Sequence, residues 1–145
     1  MRRNGFTLLE LLILLVIAAS VVTLAAPQFS RLTSAVALRS SARELASALR
    51  SARSEAIAQH RDAAVVIDLE QRTYRLEGSP RAHPLGARFD LELLTAQSEA
   101  RNKELGAIRF FADGSSTGGR VTLAIVGQRY VVDVDWLTGR VVIHD

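Results

Sequence analysis

Gly5-Phe6-Thr7-Leu8-Leu9-Glu10-Leu11-Leu12 opens an apolar block that continues to Ala26, and Met1-Arg2-Arg3-Asn4 stands in front of it. As a helix, residues Phe6 to Ala26 would span roughly 30 Å, the thickness of a bilayer core. Arg2 and Arg3 favour holding the leading end on the cytoplasmic side. No small-x-small cleavage site follows the apolar run; Pro27-Gln28-Phe29 leads instead into more helical pattern, unlike a secretory signal peptide.

Glu10 is the anomaly in this block. An acidic side chain in hydrocarbon costs on the order of 3 kcal/mol, less near the interface. Its place in the first helical turn returns roughly 0.3 to 1 kcal/mol through the macrodipole. On the residues alone, a plain anchor with Glu10 at headgroup level is the simpler reading. The other is that the chain is cut between Gly5 and Phe6, so that the new amino group of Phe6 lies at the depth of Glu10 and meets the carboxylate of a neighbouring, axially shifted subunit. Such a pair at about 4 Å attracts by about 4 kcal/mol at an effective dielectric near 20, before desolvation is subtracted.

The spacing of Gly5, Phe6 and Glu10 before an uninterrupted apolar helix resembles the class III leader and helix start of type IV pilins and type II secretion pseudopilins. The resemblance implies that a membrane-embedded prepilin peptidase cuts after Gly5 and methylates the amino terminus of Phe6. It also implies that Glu10 pairs with the amino terminus of an adjacent subunit during assembly. Further along, Leu49-Arg50-Ser51-Ala52-Arg53-Ser54-Glu55-Ala56, the run Phe110 to Gly119, and Leu137-Thr138-Gly139-Arg140-Val141 are similar to the minor pseudopilins and pilins of the GspH and FimT type. The region from Glu77 to Gly106 is not covered by that similarity and is where partner specificity is expected.

Beyond Pro27 the helical signal turns amphipathic. Leu38, Ala42, Leu45, Leu49, Ala52 and Ala56 recur at spacings of four and three, with Arg39, Arg43, Arg50, Arg53 and Glu55 between them. So many alanines suit close approach of a sheet, and Pro27 is expected to kink the rod. From Arg61 the period becomes that of strands: 63–69 and 73–76 as a hairpin, 88–94, then 107–111, 120–126, 130–134 and 140–143. Residues 78–86, with Pro80 and Pro84, break the pattern, and 95–106 read as a loop or short helix. Strands this short have no room for helical crossovers, so the sheets are expected to be antiparallel. The fold class expected is therefore α+β: a long N-terminal helix, membrane-spanning in its first half, packed on a small antiparallel β domain of two sheets. The divisions are a leader 1–5, a transmembrane segment 6–27, an amphipathic periplasmic helix 28–60, and a β domain 61–145 whose variable region is 77–106.

Catalysis finds no support. The chain of 145 residues has no cysteine, and His60, His83 and His144 are scattered without metal-ligand spacing. Asp113 to Gly119 lacks the Lys-Ser/Thr pair of a phosphate loop and reads as a connection between strands. Asp135 to Arg140 reads as a tight turn, and Trp136 and Tyr130 as core or edge packing. No catalytic, cofactor or metal site is expected. The net charge of +3 falls to about +1 without Arg2 and Arg3, so a pI near 10.2 argues only weakly for nucleic acid.

The resemblance implies a minor pseudopilin of a type II secretion system, single-pass in the bacterial inner membrane with its C-terminal domain in the periplasm, added at or near the tip of a short filament. Its partners would be other pseudopilins, the prepilin peptidase, the inner-membrane secretion platform, and secreted substrate or the outer-membrane secretin. The alternative is a FimT-like minor type IV pilin that binds DNA during natural transformation. Its motive is that 17 of the 18 basic residues are arginine, with Arg120, Arg129 and Arg140 in the β domain as candidate phosphate contacts. Replacing Gly5 by a bulky residue should leave an uncut precursor, seen as slower gel migration; normal processing of that variant would remove the leader reading.

Overall fold

The computed structural model describes residues 7–86, 88–100 and 104–145, with residues 21–33 as backbone only. Helix α1 runs from Leu8 to Gln59 and passes Pro27 without interruption. Thr7 caps it: the Glu10 amide donates to Thr7 Oγ1 at 3.3 Å and the Leu11 amide to the Thr7 carbonyl at 3.2 Å. At the other end His60 turns left-handed (φ 50°), and the Arg61 amide reaches back to the Ala56 carbonyl, closing the helix as glycine more often does.

Two compact units divide the chain, residues 1–34 and 35–145. In the first, nine large apolar side chains from Leu8 to Ile17 are exposed, by 51% to 82%. Among the described residues no helix is long and apolar enough to cross a membrane. The leader 1–5, Phe6, and the side chains of residues 21–27 of the expected span lie outside the described residues.

The second unit is built on the part of α1 from Ala35 onward. Leu38, Ala42, Leu45, Ala46, Leu49, Ala52 and Ala56 are all buried to within 1%. They form the stripe expected from the periodicity, with Ala46 added. Against it, among the described residues, lie eight strands: β1 (Ala63–Asp68), β2 (Thr73–Leu76), β3 (His83–Pro84), β4 (Asp90–Thr95), β5 (Leu105–Phe110), β6 (Gly119–Ile125), β7 (Gln128–Val134) and β8 (Val141–His144). All pairings are antiparallel, in two sheets ordered β3-β2-β1-β5 and β4-β6-β7-β8. Val65, Ile67, Tyr74, Ile108 and Phe110 of the first sheet and Val121, Leu123, Val132, Val134 and Val141 of the second join the helical stripe in one core. Ala64, Val66 and Ala107 form a smaller cluster with Leu105, so β1 is buried on both faces.

The expected hairpin of β1 and β2 is present, with Asp68 opposite Thr73, so its connection takes in Leu69 as well as residues 70–72. Two features differ from expectation, at residues 78–86 and at Trp136. Residues 78–86 contain the short edge strand β3, held by pairing of Tyr74 with His83 and by stacking of their rings at 5.3 Å. Between β4 and β5, where a loop or short helix was expected, the described residues form the loop, with turns and an isolated bridge from Ala100 to Gly106. Trp136 is not packed: it is 66% exposed, because its turn is held by backbone groups that leave the indole outside.

Because Leu49 is wholly buried where the helix meets the core, Leu49→Ala should destabilise the protein by about 2 to 5 kcal/mol. Urea denaturation of the full-length protein measures this; a loss under about 1 kcal/mol would mean that the stripe does not carry the fold.

Candidate functional site

No cluster of His, Cys, Asp or Glu able to hold a metal occurs among the described residues. The organised chemistry of unit 35–145 lies where α1 meets two turns. Arg53 Nε donates to the Gly114 carbonyl at 3.0 Å, and Arg50 Nη2 to the Val141 carbonyl at 3.1 Å. A guanidinium on a helix flank thus closes the β5–β6 connection, and a second one binds the first residue of β8.

The two turns are also bonded to each other. The Ser116 amide donates to the Trp136 carbonyl at 2.8 Å, and its hydroxyl donates to the Asp135 carbonyl at 2.9 Å while accepting from the Gly118 amide. Ser116 is only 5% exposed, and both its amide and its hydroxyl have partners. Within the turns, Asp113 Oδ1 accepts from the amide and hydroxyl of Ser115, and Asp135 Oδ1 from those of Thr138. These bonds hold both carboxyls below the usual carboxylate range, the neighbouring hydroxyl being the largest cause in each. The amides of Gly114, Ser115, Ser116 and Gly118 are therefore bonded within the protein, which supports a strand connection over a phosphate cradle at 113–119.

Gly139 is where these parts meet. It has φ +62°, and a Cβ there would lie 2.2 Å from the Gly114 carbonyl oxygen and 2.8 Å from Arg53 Nε. Only glycine lets the β7–β8 turn approach the β5–β6 turn beneath Arg53. Beside it a cleft of about 490 Å³ is lined by Arg50, Arg53, Ser54, Thr138, Gly139, Arg140 and Val141.

Gly5 and Phe6 lie outside the described residues. Glu10 sits exposed in the first turn of α1, its amide on the Thr7 cap. Arg120 on β6 pairs with Asp133 on β7 at 2.9 Å. Arg129 stands at the other end of β7, and Arg140 lines the cleft with Arg50 and Arg53. The three candidate phosphate contacts are therefore not gathered into one site. In the sequence Arg50 and Arg53 belong to the polar side of an amphipathic helix, and their spacing of three, which sets them on one flank, is the local signal for their role.

The family model described as Type II transport protein GspH matches residues 41–138. The Type II secretion system protein H of Xanthomonas campestris pv. campestris is 36% identical over 138 residues, covering 95% of this chain and 81% of that protein. In fold the chain is similar to the type IV minor pilin FimU of Pseudomonas aeruginosa in two crystal forms. One has a TM-score of 0.57 and covers 78% of this chain and 92% of that one. The other has a TM-score of 0.54 with 74% and 93% covered; both are 22% identical.

Gly139→Ala should lose more stability than the roughly 1 to 3 kcal/mol of backbone strain alone, because its new methyl meets a carbonyl oxygen. Gly127→Ala, at φ +83° but facing open space, should bear only the strain. Thermal unfolding of the two full-length variants compares them, and equal losses would show that the close approach at Gly139 contributes nothing.

Proposed function

The chain belongs to the GspH family of type II transport proteins, and from that premise we propose that it is a minor pseudopilin, a filament subunit without catalytic activity. Cut after Gly5 and methylated on Phe6 by the prepilin peptidase, it is anchored in the inner membrane by residues 6–27 and holds its β domain in the periplasm. It then joins other pseudopilins at or near the tip of a short filament that works with the secretion platform, secreted substrate and the secretin.

The observation that carries this reading is the first unit. Nine large apolar side chains from Leu8 to Ile17 are exposed all around one helix. A helix apolar on every side is stable only inside lipid or a bundle of similar helices, and a subunit that is first anchored and then assembled exchanges one cover for the other. Within that apolar surface Glu10 is the single acid, at the end where the amino terminus of Phe6 would lie. It supplies what the greasy surface lacks, a polar constraint on axial register, since a helix sliding along a uniform apolar neighbour has no preferred position.

Glu10→Val tests this directly. Removing the acid relieves the cost of burying it, so the anchor and the cleavage should persist, while co-purification with other pilin-like subunits should be lost. Assembly of the variant at the normal level would rule out the register role.

A further inference from the structure

Arginines of the unit 35–145 fall into two groups. Arg61, Arg109 and Arg120 are ion-paired, with Glu55, with Glu77 and Glu99, and with Asp133 respectively. Arg39, Arg43, Arg50 and Arg53 form no ion pair among the described residues, and Arg50 and Arg53 donate only to neutral carbonyls. A guanidinium stays charged in any such setting, so these four charges are uncompensated.

The four stand on one flank of α1, within about 80° of its circumference and about 21 Å of its length. Two recesses follow that flank where it meets the second sheet. One, of about 220 Å³, is lined by Arg39, Arg43, Tyr130, Ile143 and Asp145. The other is the cleft of Arg50 and Arg53, where Arg140 adds a fifth cation, shared with Asp135 of its own turn. Among the described residues Asp145 is the single acid lining either recess. At the Arg140 end, the β7–β8 turn lifts Trp136 and Leu137 into solvent, 66% and 62% exposed. That turn is fixed by Asp135 Oδ1 on Thr138 and by Ser116 on the backbone of Asp135 and Trp136. An exposed tryptophan on a fixed backbone loses little freedom on binding, and with arginines beside it has the makeup of a protein docking anchor.

Charge complementarity calls for an acidic surface as the cover. Unit 35–145 holds 15 basic and 14 acidic residues, so the attraction is confined to this seam. A long polyanion such as DNA would meet that balanced surface beyond the seam and gain little from it. A protein surface with carboxylates in a row and an apolar seat for Trp136 uses both parts of the seam. A second copy does not present one on the opposite flank of its α1, because Glu55 there is held by Arg61 and Glu77 beside it by Arg109.

We propose that this seam docks a different pilin-like subunit through a row of carboxylates on that subunit. Those carboxylates face Arg39, Arg43, Arg50 and Arg53, and Trp136 and Leu137 anchor one end. The inference rests on the assembly reading above and adds to it the face of the domain that meets the neighbour and the charge that the neighbour carries.

Full-length protein in its host envelope, with a photo-crosslinking phenylalanine analogue in place of Leu137, tests the contact. Irradiation should join it to another pilin-like subunit, identified by mass spectrometry, at a peptide flanked by carboxylates. Arg39→Glu with Arg43→Glu should cut that product at least about ten-fold, because like charges across an interface are costly. Reversing the mapped carboxylates to arginine should restore it, which a folding defect would not do. The same analogue in place of Leu14, exposed on the first unit, reports helix assembly independently. A product from position 14 without one from position 137 overturns the seam and leaves assembly standing; absence of both overturns both. A position 137 product with a second copy of this chain or with a secreted protein, or one indifferent to the reversed arginines, also overturns the proposal. Without a subunit product, gel retardation of a double-stranded DNA oligonucleotide that is lost with Arg39→Glu and Arg43→Glu would assign the seam to nucleic acid instead.

Discussion

Seven side chains of α1, from Leu38 to Ala56, are the constraint on which the β half depends. Both sheets turn their inner residues toward this one stripe, and Phe110, Ile108, Leu123 and Val132 are wholly buried with it. Four of the seven are alanines, which keep the helix close to the strands and leave space for larger residues to come from the sheet side. Strands of two to seven residues in sheets of four have little independent stability. The helix serves as their common floor, and it cannot detach without exposing the inner faces of both.

Hydrophobic contact sets the distance between helix and sheets but leaves their lateral position open, and hydrogen bonding supplies it. Arg50 and Arg53 bind carbonyls at the start of β8 and in the β5–β6 turn, and Gly139 allows the two turns to close on each other beneath Arg53. The backbone bonds from Ser116 then fix the β7–β8 turn in the one arrangement that leaves Trp136 and Leu137 facing solvent. An aromatic side chain is thus presented outward by the same contacts that lock the fold, and stability and presentation are coupled through Gly139.

Much of this was legible in the sequence because it is periodic. The stripe on α1 repeats at helical spacing, and β6 and β7 alternate buried Val121, Leu123, Val132 and Val134 with less buried neighbours. What escaped is what has no period. Strand β3 is two exposed residues, His83 and Pro84, recognisable only through their partner β2. Trp136 was expected in core or edge packing; its exposure follows from hydrogen bonds between turns far apart in sequence. Arg50 and Arg53 looked like solvated charges, since nothing local tells that a helix flank faces carbonyls sixty or ninety residues away. The leader motif is the opposite case, a short local pattern whose meaning lies entirely in its spacing.

One helix therefore answers to two environments. Its part from Ala35 onward is committed to its own domain, and in its first part the large apolar side chains from Leu8 to Ile17 are exposed. In the proposed assembly, where that part passes from lipid to neighbouring helices in register, the acid at position 10 would need a cation at its own depth, and the amino group of Phe6 could be that cation only after the five residues before it are gone. Intact-mass determination on protein isolated from the host envelope reads this state directly. A polypeptide beginning at Phe6 with a methylated amino group is the result expected; a functional, assembled polypeptide that retains Met1 through Gly5 would contradict it.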